Sequence, residues 1–295
     1  KRKGSAQPAI LDWWNGSSAC YDLSNPDAYN HLRSTLKKMQ QDYHIDGFKF
    51  DAGDPERYPE KEVDVFDRQS YDTEQTYLWA KLGLEFPYNE FRACWKLGGQ
   101  PLVQRLGDKK YSWDGVASLV PSMIAGLLGY SYACPDMIGG GEYSSFQGID
   151  ASGFDQTLIV RSCQIHSMMP MMQFSVAPWR ILNKENLETC IKYAKWHEQL
   201  GDYILSQAKN ASITGEPIVR HMDYAFPNQG FEECRDQYML GDKYLVAPIM
   251  SSGNTRTVKL PKGKWKDDLG KVYKGGKTYT LDVPLSRLPW FVEVK

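Results

Sequence analysis

Apolar and polar positions change rhythm along the chain, and the rhythm predicts its elements. In "SNPDAYNHLRSTLKKMQQDY", Tyr29, Leu32, Leu36 and Met39 recur at helical spacing. Asparagine before Pro26 marks the start, and proline suits a first helical position. "IDGFKFD" then reads as a short strand, "DTEQTYLWAKLGLEF" as a helix and "YNEFRAC" as a second strand. After "PLVQRL" come the helical "GVASLVPSMIAGLLG", "YSYACPD", a helix "FDQTLIVRSCQIH", a strand "MPMMQFS" and a long helix from about Lys184 to Gln207. Strands alternating with helices predict parallel βαβ units.

Around Gly215 the texture changes. "EPIVRHMDYAF", "KYLVAPIM", "TRTVKLP", "KTYTLDV" and "PWFVEV" are short β runs divided by Gly, Pro and Asn turns, which predicts an antiparallel β domain. With "AILDWW" counted as a strand, residues 1–214 hold about six of the eight strands of a (β/α)8 barrel. An open doubly wound sheet also accommodates six, but it usually carries a Gly-rich phosphate turn, and the sequence shows none. The expected fold is therefore α/β: the later strands of a partial TIM barrel in 1–214, then an antiparallel β-sandwich in 215–295. On this reading the sequence is the C-terminal portion of a longer protein, whose upstream part completes the barrel.

Composition narrows the function. The 295 residues are 42% hydrophobic and 24% charged, enough apolar material for a sizeable core. A net charge of −1 advertises no basic face for nucleic acid or anionic lipid. No apolar run approaches the roughly 18 residues of a membrane span, and "KRKGSAQPAIL" lacks the apolar centre of a signal peptide. The six cysteines show no CxxC and no zinc spacing, so neither metal nor cofactor is implied. Nine Trp and 18 Tyr suit stacking on sugar rings, although most aromatic residues serve a core. Asn15 and Asn210 head glycosylation triplets; Asn210 is the better acceptor, because Asn15 adjoins the expected cavity mouth.

In parallel αβ barrels the reactive groups sit where strands end. Three acids stand there: Asp51 after "FKF", Asp108 after "VQRLG" and Asp136 after "YSYACP". One such acid alone more often caps a helix or meets water. Three on successive strands suit glycoside hydrolysis, in which one carboxylate attacks the sugar and another protonates the leaving oxygen.

The segment "LDWWNGSSACYDLSNPDAYNHLRSTLKKMQQDYHIDGFKFDAGD" resembles the nucleophile region of glycoside hydrolase family 31, with its Trp-Pro-Gly-like turn, "FTNP"-like helix start and "DGxWxDMNE"-like strand end. "FRACWKLGGQPLVQRLGDKKYSW" is similar to the "SRS…WTGDN…W" stretch, "YSYACPDMIGG" to "G.DIGGF", and "RDQYMLGDKYLVAPIM" to "DRQFMLG…LVAPV". The resemblance implies that Asp51 is the nucleophile and Asp108 the acid/base, with Trp14, Arg92 and Asp136 in the substrate site. It also implies a membrane-anchored protein of the endoplasmic-reticulum or nuclear-envelope lumen, though nothing in these residues shows that. Departures stand beside the match. "DAGD" replaces "DMNE", Ser175 stands where many members have a sugar-binding histidine, and Arg105 stands near a usual tryptophan. Lys49 lies two residues before Asp51, so strand alternation points both side chains the same way. "KxD" is the nucleophile-strand pattern of related α-galactosidase families, which adds Lys49 to the substrate-binding set. Lys49 also fits an ion-pair partner of Asp51, or a desolvated Schiff-base lysine. The expected activity is a retaining exo-α-glycosidase acting on terminal α-galactose. An α-glucosidase or sulfoquinovosidase, or a catalytically silent sugar-binding protein, are the alternatives. The partners to expect are a glycan or small-molecule substrate and the upstream part of the protein, with a second copy of the chain left open.

Overall fold

The computed structural model describes every residue except Trp14, Asn15, Pro59, Ile149 and Lys295; at Glu60, Tyr143 and Ala151 it describes the backbone alone. The chain divides into two compact units, 1–104 and 105–295. No helix among the described residues is long and apolar enough to cross a membrane.

The first unit opens with β1 (Ile10–Trp13) paired antiparallel to β2 (Gly16–Ala19). "AILDWW" is thus one arm of a hairpin and not the barrel strand its apolar run predicts. Helix α1 (Pro26–Tyr43) starts as expected: the Asn25 side chain accepts from the Asp27 N–H, and Pro26 takes the first turn. Tyr29, Leu32 and Leu36 pack against the core of this unit, whereas Met39 is exposed.

Strand β3 (Gly47–Phe50) pairs in parallel with β4 (Tyr88–Phe91), Lys49 opposite Glu90, after the connecting helix α2 (Asp72–Gly83). Phe91 then pairs with Gln104, the first residue of β5 (Gln104–Arg105). Alternation does the sorting. Phe48, Phe50 and Phe91 face the helices, with the Phe50 and Phe91 rings stacked 4.7 Å apart, and this leaves Lys49 and Glu90 on the opposite face. The sheet and α2 can approach because position 83 is glycine: a Cβ there would lie 1.9 Å from Phe91 Cζ. Parallel pairing is the part of the expected barrel that this unit displays.

In the second unit the Leu106 N–H reaches the Cys134 carbonyl of β6 (Ala133–Cys134) at 3.0 Å. Helix α3 (Trp113–Ser122) is capped by Ser112, and α4 (Gln156–His166) by Asp155. Residues Leu158 to His166 are all buried, so α4 is the centre of a helical core. The expected strand "MPMMQFS" reduces to a single bridge between Ile138 and Phe174. Met168 and Met169 are core residues of the turn before Pro170. After α5 (Pro178–Ile181), the long helix expected from Lys184 to Gln207 is two: α6 (Lys184–Gln199) and α7 (Gly201–Thr214). They break at buried Leu200, which ends one and begins the other, next to Gly201, a poor helix former.

The β runs form a six-stranded antiparallel sheet and a two-stranded ribbon. The strands are β7 (Val219–His221), β8 (Tyr238–Leu240), β9 (Tyr244–Val246), β10 (Thr255–Leu260), β11 (Lys264–Asp267), β12 (Val272–Lys274), β13 (Lys277–Asp282) and β14 (Trp290–Glu293). The sheet order is β12-β11-β14-β9-β8-β7, and the ribbon is β10-β13. Alternation gives the sheet two apolar faces. Tyr238, Leu240, Tyr244 and Val246 join the helical core, while Met239, Leu245 and Phe291 pack with Val258, Leu260, Trp265 and Leu281. The change of texture at residue 215 is real in secondary structure, yet packing runs straight through it.

Arg161 ties α4 to the β layers. Wholly buried, it donates to the carbonyls of Val283 (2.8 Å) and Arg287 (3.0 Å) and to the side chains of Asn254 (3.1 Å) and Gln164 (3.0 Å). Burial lowers its pKa to about 10.

Candidate active site

In the first unit, charge gathers where β3 and β4 end. Asp51 follows β3 and Arg92 follows β4, and strand register places them side by side: Arg92 Nη1 lies 3.3 Å from Asp51 Oδ1. The same guanidinium binds Asp54 side-on, with Nε 3.1 Å from Oδ1 and Nη2 on Oδ2. Arg92 is nearly buried, at 10% side-chain exposure, while Asp51 keeps 38%. Two residue-pairs back along the strands, Lys49 Nζ stands 3.4 Å from Glu90 Oε1, with Lys49 exposed. The ion pair foreseen for Lys49 is therefore made with Glu90. Trp14 lies outside the described residues.

Asp54 escapes a reading of the sequence because its role depends on the turn. Ala52 (φ 58°) and Gly53 (φ 81°) are both left-handed, which folds Asp54 back beside Asp51. The turn is pinned to α2: Thr76 Oγ1 donates to the Gly53 carbonyl at 2.7 Å, and a Cβ on Gly53 would stand 2.5 Å from Trp79 Cδ1. The available signal was "DAGD" itself, two acids around two small residues.

A second cluster occupies the second unit. Arg105, 2% exposed, bonds Asp108 Oδ1 through Nη1, which also lies 3.5 Å from Asp136 Oδ1. Asp136 has no exposed surface. Its oxygens accept the N–H groups of Lys109 (2.6 Å), Met137 (2.7 Å) and Gly141 (2.9 Å). Burial raises its pKa, and those N–H donors work against the rise. Asp136, for which the sequence suggests a substrate contact, is wholly buried here, and its carboxylate ties together the loops around Asp108. Lys109 helps, its ammonium joining the Gly107 and Pro135 carbonyls at 2.8 and 2.7 Å, and burial lowers its pKa. Ser175, at the family's histidine position, donates to the Ile138 carbonyl at 2.7 Å.

His166 lies beneath this cluster, buried at the end of α4. Its Nδ1 is 2.8 Å from the Ser162 carbonyl and its Nε2 is 2.9 Å from the Asp136 carbonyl. Two acceptors favour the charged ring, but complete burial outweighs them and lowers the pKa to about 4. Among the described residues no group of three or more His, Cys, Asp or Glu could hold a metal ion.

The described residues thus combine parallel strands that end in arginine–carboxylate clusters with antiparallel β layers. The cycloalternan-degrading enzyme from Trueperella pyogenes shares the fold, with a TM-score of 0.84 at 23% identity over 98% of this chain and 44% of that one. Residues 215–294 match the Glycosyl hydrolase family 31 C-terminal domain. That segment is a domain of glycosyl hydrolase family 31. The chain is similar to the myogenesis-regulating glycosidase of Mus musculus, 30% identical over 94% of this chain, and to an alpha-xylosidase of Emericella nidulans, 28% identical over 94%. It spans 40% and 37% of the length of those two relatives.

Proposed function

We propose that this chain is the catalytic portion of a retaining exo-α-glycosidase that releases terminal α-linked galactose from glycans or small galactosides. On this reading its parallel strands are later strands of a (β/α)8 barrel. Asp51 attacks the anomeric carbon while Asp108 protonates the departing oxygen, and Asp108 then activates the water that hydrolyses the glycosyl-enzyme. Arg92 and Lys49 meet sugar hydroxyls, and Asp136 holds the loops that carry Asp108.

The observation that carries the reading is the placement of Asp51, accessible at the end of β3 beside a nearly buried arginine. The galactose preference rests on Lys49. An ammonium has three donors, so one contact with Glu90 leaves others for an axial O4. The alpha-xylosidase relative favours a second reading, in which the substrate is another α-glycoside and Lys49 serves only as a charge.

Steady-state kcat/KM for aryl α-galactoside, α-glucoside and α-xyloside separates them. Lys49→Met should cut α-galactoside hydrolysis about tenfold to a hundredfold, the worth of one charge-assisted hydrogen bond, and should cut the others less. A wild-type preference for glucoside or xyloside, or equal losses, supports the second reading. No turnover of any glycoside would leave a sugar-binding protein.

A further inference from the structure

The helices cover only part of one face of the six-stranded sheet. On that side Trp290 of β14 stacks on Trp196 of α6, and Val292 joins the same core. Register carries the face outward to the sheet edge: Lys266 of β11 lies opposite Val292, Val272 of β12 opposite Lys266, and Lys274 opposite Lys264. Lys264, Lys266, Val272 and Lys274 are all exposed, so the helices stop short of these two strands. At the tip of the β11–β12 hairpin Leu269 is 70% exposed, beside Val272 at 56%. Edge protection explains one lysine only. Lys274 on the edge strand β12 discourages pairing with another sheet, but β11 is paired on both sides, so Lys264 and Lys266 have no such role. Like charges directly opposite one another destabilise a sheet, and Lys264 faces Lys274. The hairpin's two acids, Asp267 and Asp268, are held by Arg287 at 3.2 and 2.8 Å. Among the described residues no carboxylate forms an ion pair with Lys264, Lys266 or Lys274. The net charge of −1 averages this local excess away.

We propose that the outer face of the β11–β12 hairpin docks on an anionic lipid surface. Lys264, Lys266 and Lys274 meet the charged headgroups, while Leu269 and Val272 enter the boundary between headgroups and acyl chains. A polyanionic glycan would satisfy the lysines but would leave Leu269 and Val272 in water. The exposed apolar pair beside the unpaired charges is what favours lipid.

The test is co-sedimentation of the full chain with vesicles of phosphatidylcholine containing about 30% phosphatidylserine, against phosphatidylcholine alone, at rising salt. The chain should bind the anionic vesicles and not the neutral ones, more weakly as salt rises. Each lysine near such a surface is worth about fivefold, so the double variant Lys264→Ala, Lys274→Ala should bind about 25-fold less. It should melt no lower than the wild type, because a like-charge contact is relieved. Leu269→Ser should weaken binding at every salt concentration, since its contribution is not electrostatic. No binding to anionic vesicles, equal binding to both kinds, or wild-type binding by the double variant overturns the proposal. Retention on immobilised heparin, unaffected by Leu269→Ser and without vesicle binding, would mark a glycan-binding face and overturns it equally.

Discussion

Gly141→Ala is a one-carbon probe of the second cluster. Gly141 has no left-handed backbone, so alanine is conformationally acceptable there and the effect is purely steric. The added Cβ would sit 2.5 Å from Asp108 Oδ1, 3.0 Å from Asp108 Cγ and 2.6 Å from Asp136 Oδ1. Ordinary contact begins at 3.4 Å, so a carboxylate must retreat by about 0.9 Å. Asp136 is wholly buried and held by three N–H donors, so its 2.6 Å contact must be relieved by a shift of the Gly141 backbone instead. Asp108 has 30% of its side chain exposed and is the group that yields. A catalytic group displaced by about 1 Å costs on the order of a hundredfold in rate, while overpacking at one methyl costs about 1–3 kcal/mol of stability. Turnover of an aryl α-glycoside should therefore fall about a hundredfold in a protein that still melts cooperatively. Wild-type turnover in Gly141→Ala would refute the assignment of Asp108 as acid/base.

Two further outcomes concern stability. Arg161→Met strands the carbonyls of Val283 and Arg287 and should lower the urea unfolding free energy by about 3 kcal/mol or more; a loss under 1 kcal/mol would show that the bolt is dispensable. His166 is held neutral in the fold down to about pH 4, whereas the unfolded chain protonates it near its ordinary 6.5. Its stabilisation is full above about 6.5 and is lost as pH falls toward 4, by on the order of 3 kcal/mol. The slope of unfolding free energy against pH across that window should flatten in His166→Gln, and an unchanged slope would refute this.

What could be read in advance divides along a physical line. Local rules were visible: Asn25 and Pro26 announce α1, and the alternation of Phe48, Lys49 and Phe50 sorts the faces of β3. Features set by backbone conformation or by distant partners were not. Asp54 depends on Ala52 accepting a left-handed φ, which no side-chain pattern encodes. Arg161 looks like one polar residue in a helix, and its partners in the β layers lie 93 to 126 residues away. The break at Leu200 is invisible to periodicity, because α6 and α7 are both helical and only their axes are interrupted. The burial of Asp136 was not legible either, since position along a strand does not tell burial.

The two-faced sheet bears on how the chain finds its alignment during folding. A sheet with one wet side rejects a slipped pairing because hydrocarbon would meet water. The β8 strand, Tyr238-Met239-Leu240, is buried on both sides, so that safeguard is absent. What remains are polar tethers, among them one hydroxyl of the strand itself. Tyr238 donates toward the Ile165 and Met168 carbonyls at 3.2 and 3.3 Å, in the helical layer. A slip of one residue would carry that hydroxyl to the opposite layer, among Trp265 and Phe291, where the helix-end carbonyls are out of reach. The Tyr238 oxygen thus helps to set the native pairing apart from its nearest competitor, and Tyr238→Phe would test the fidelity of assembly more than the strength of the finished core.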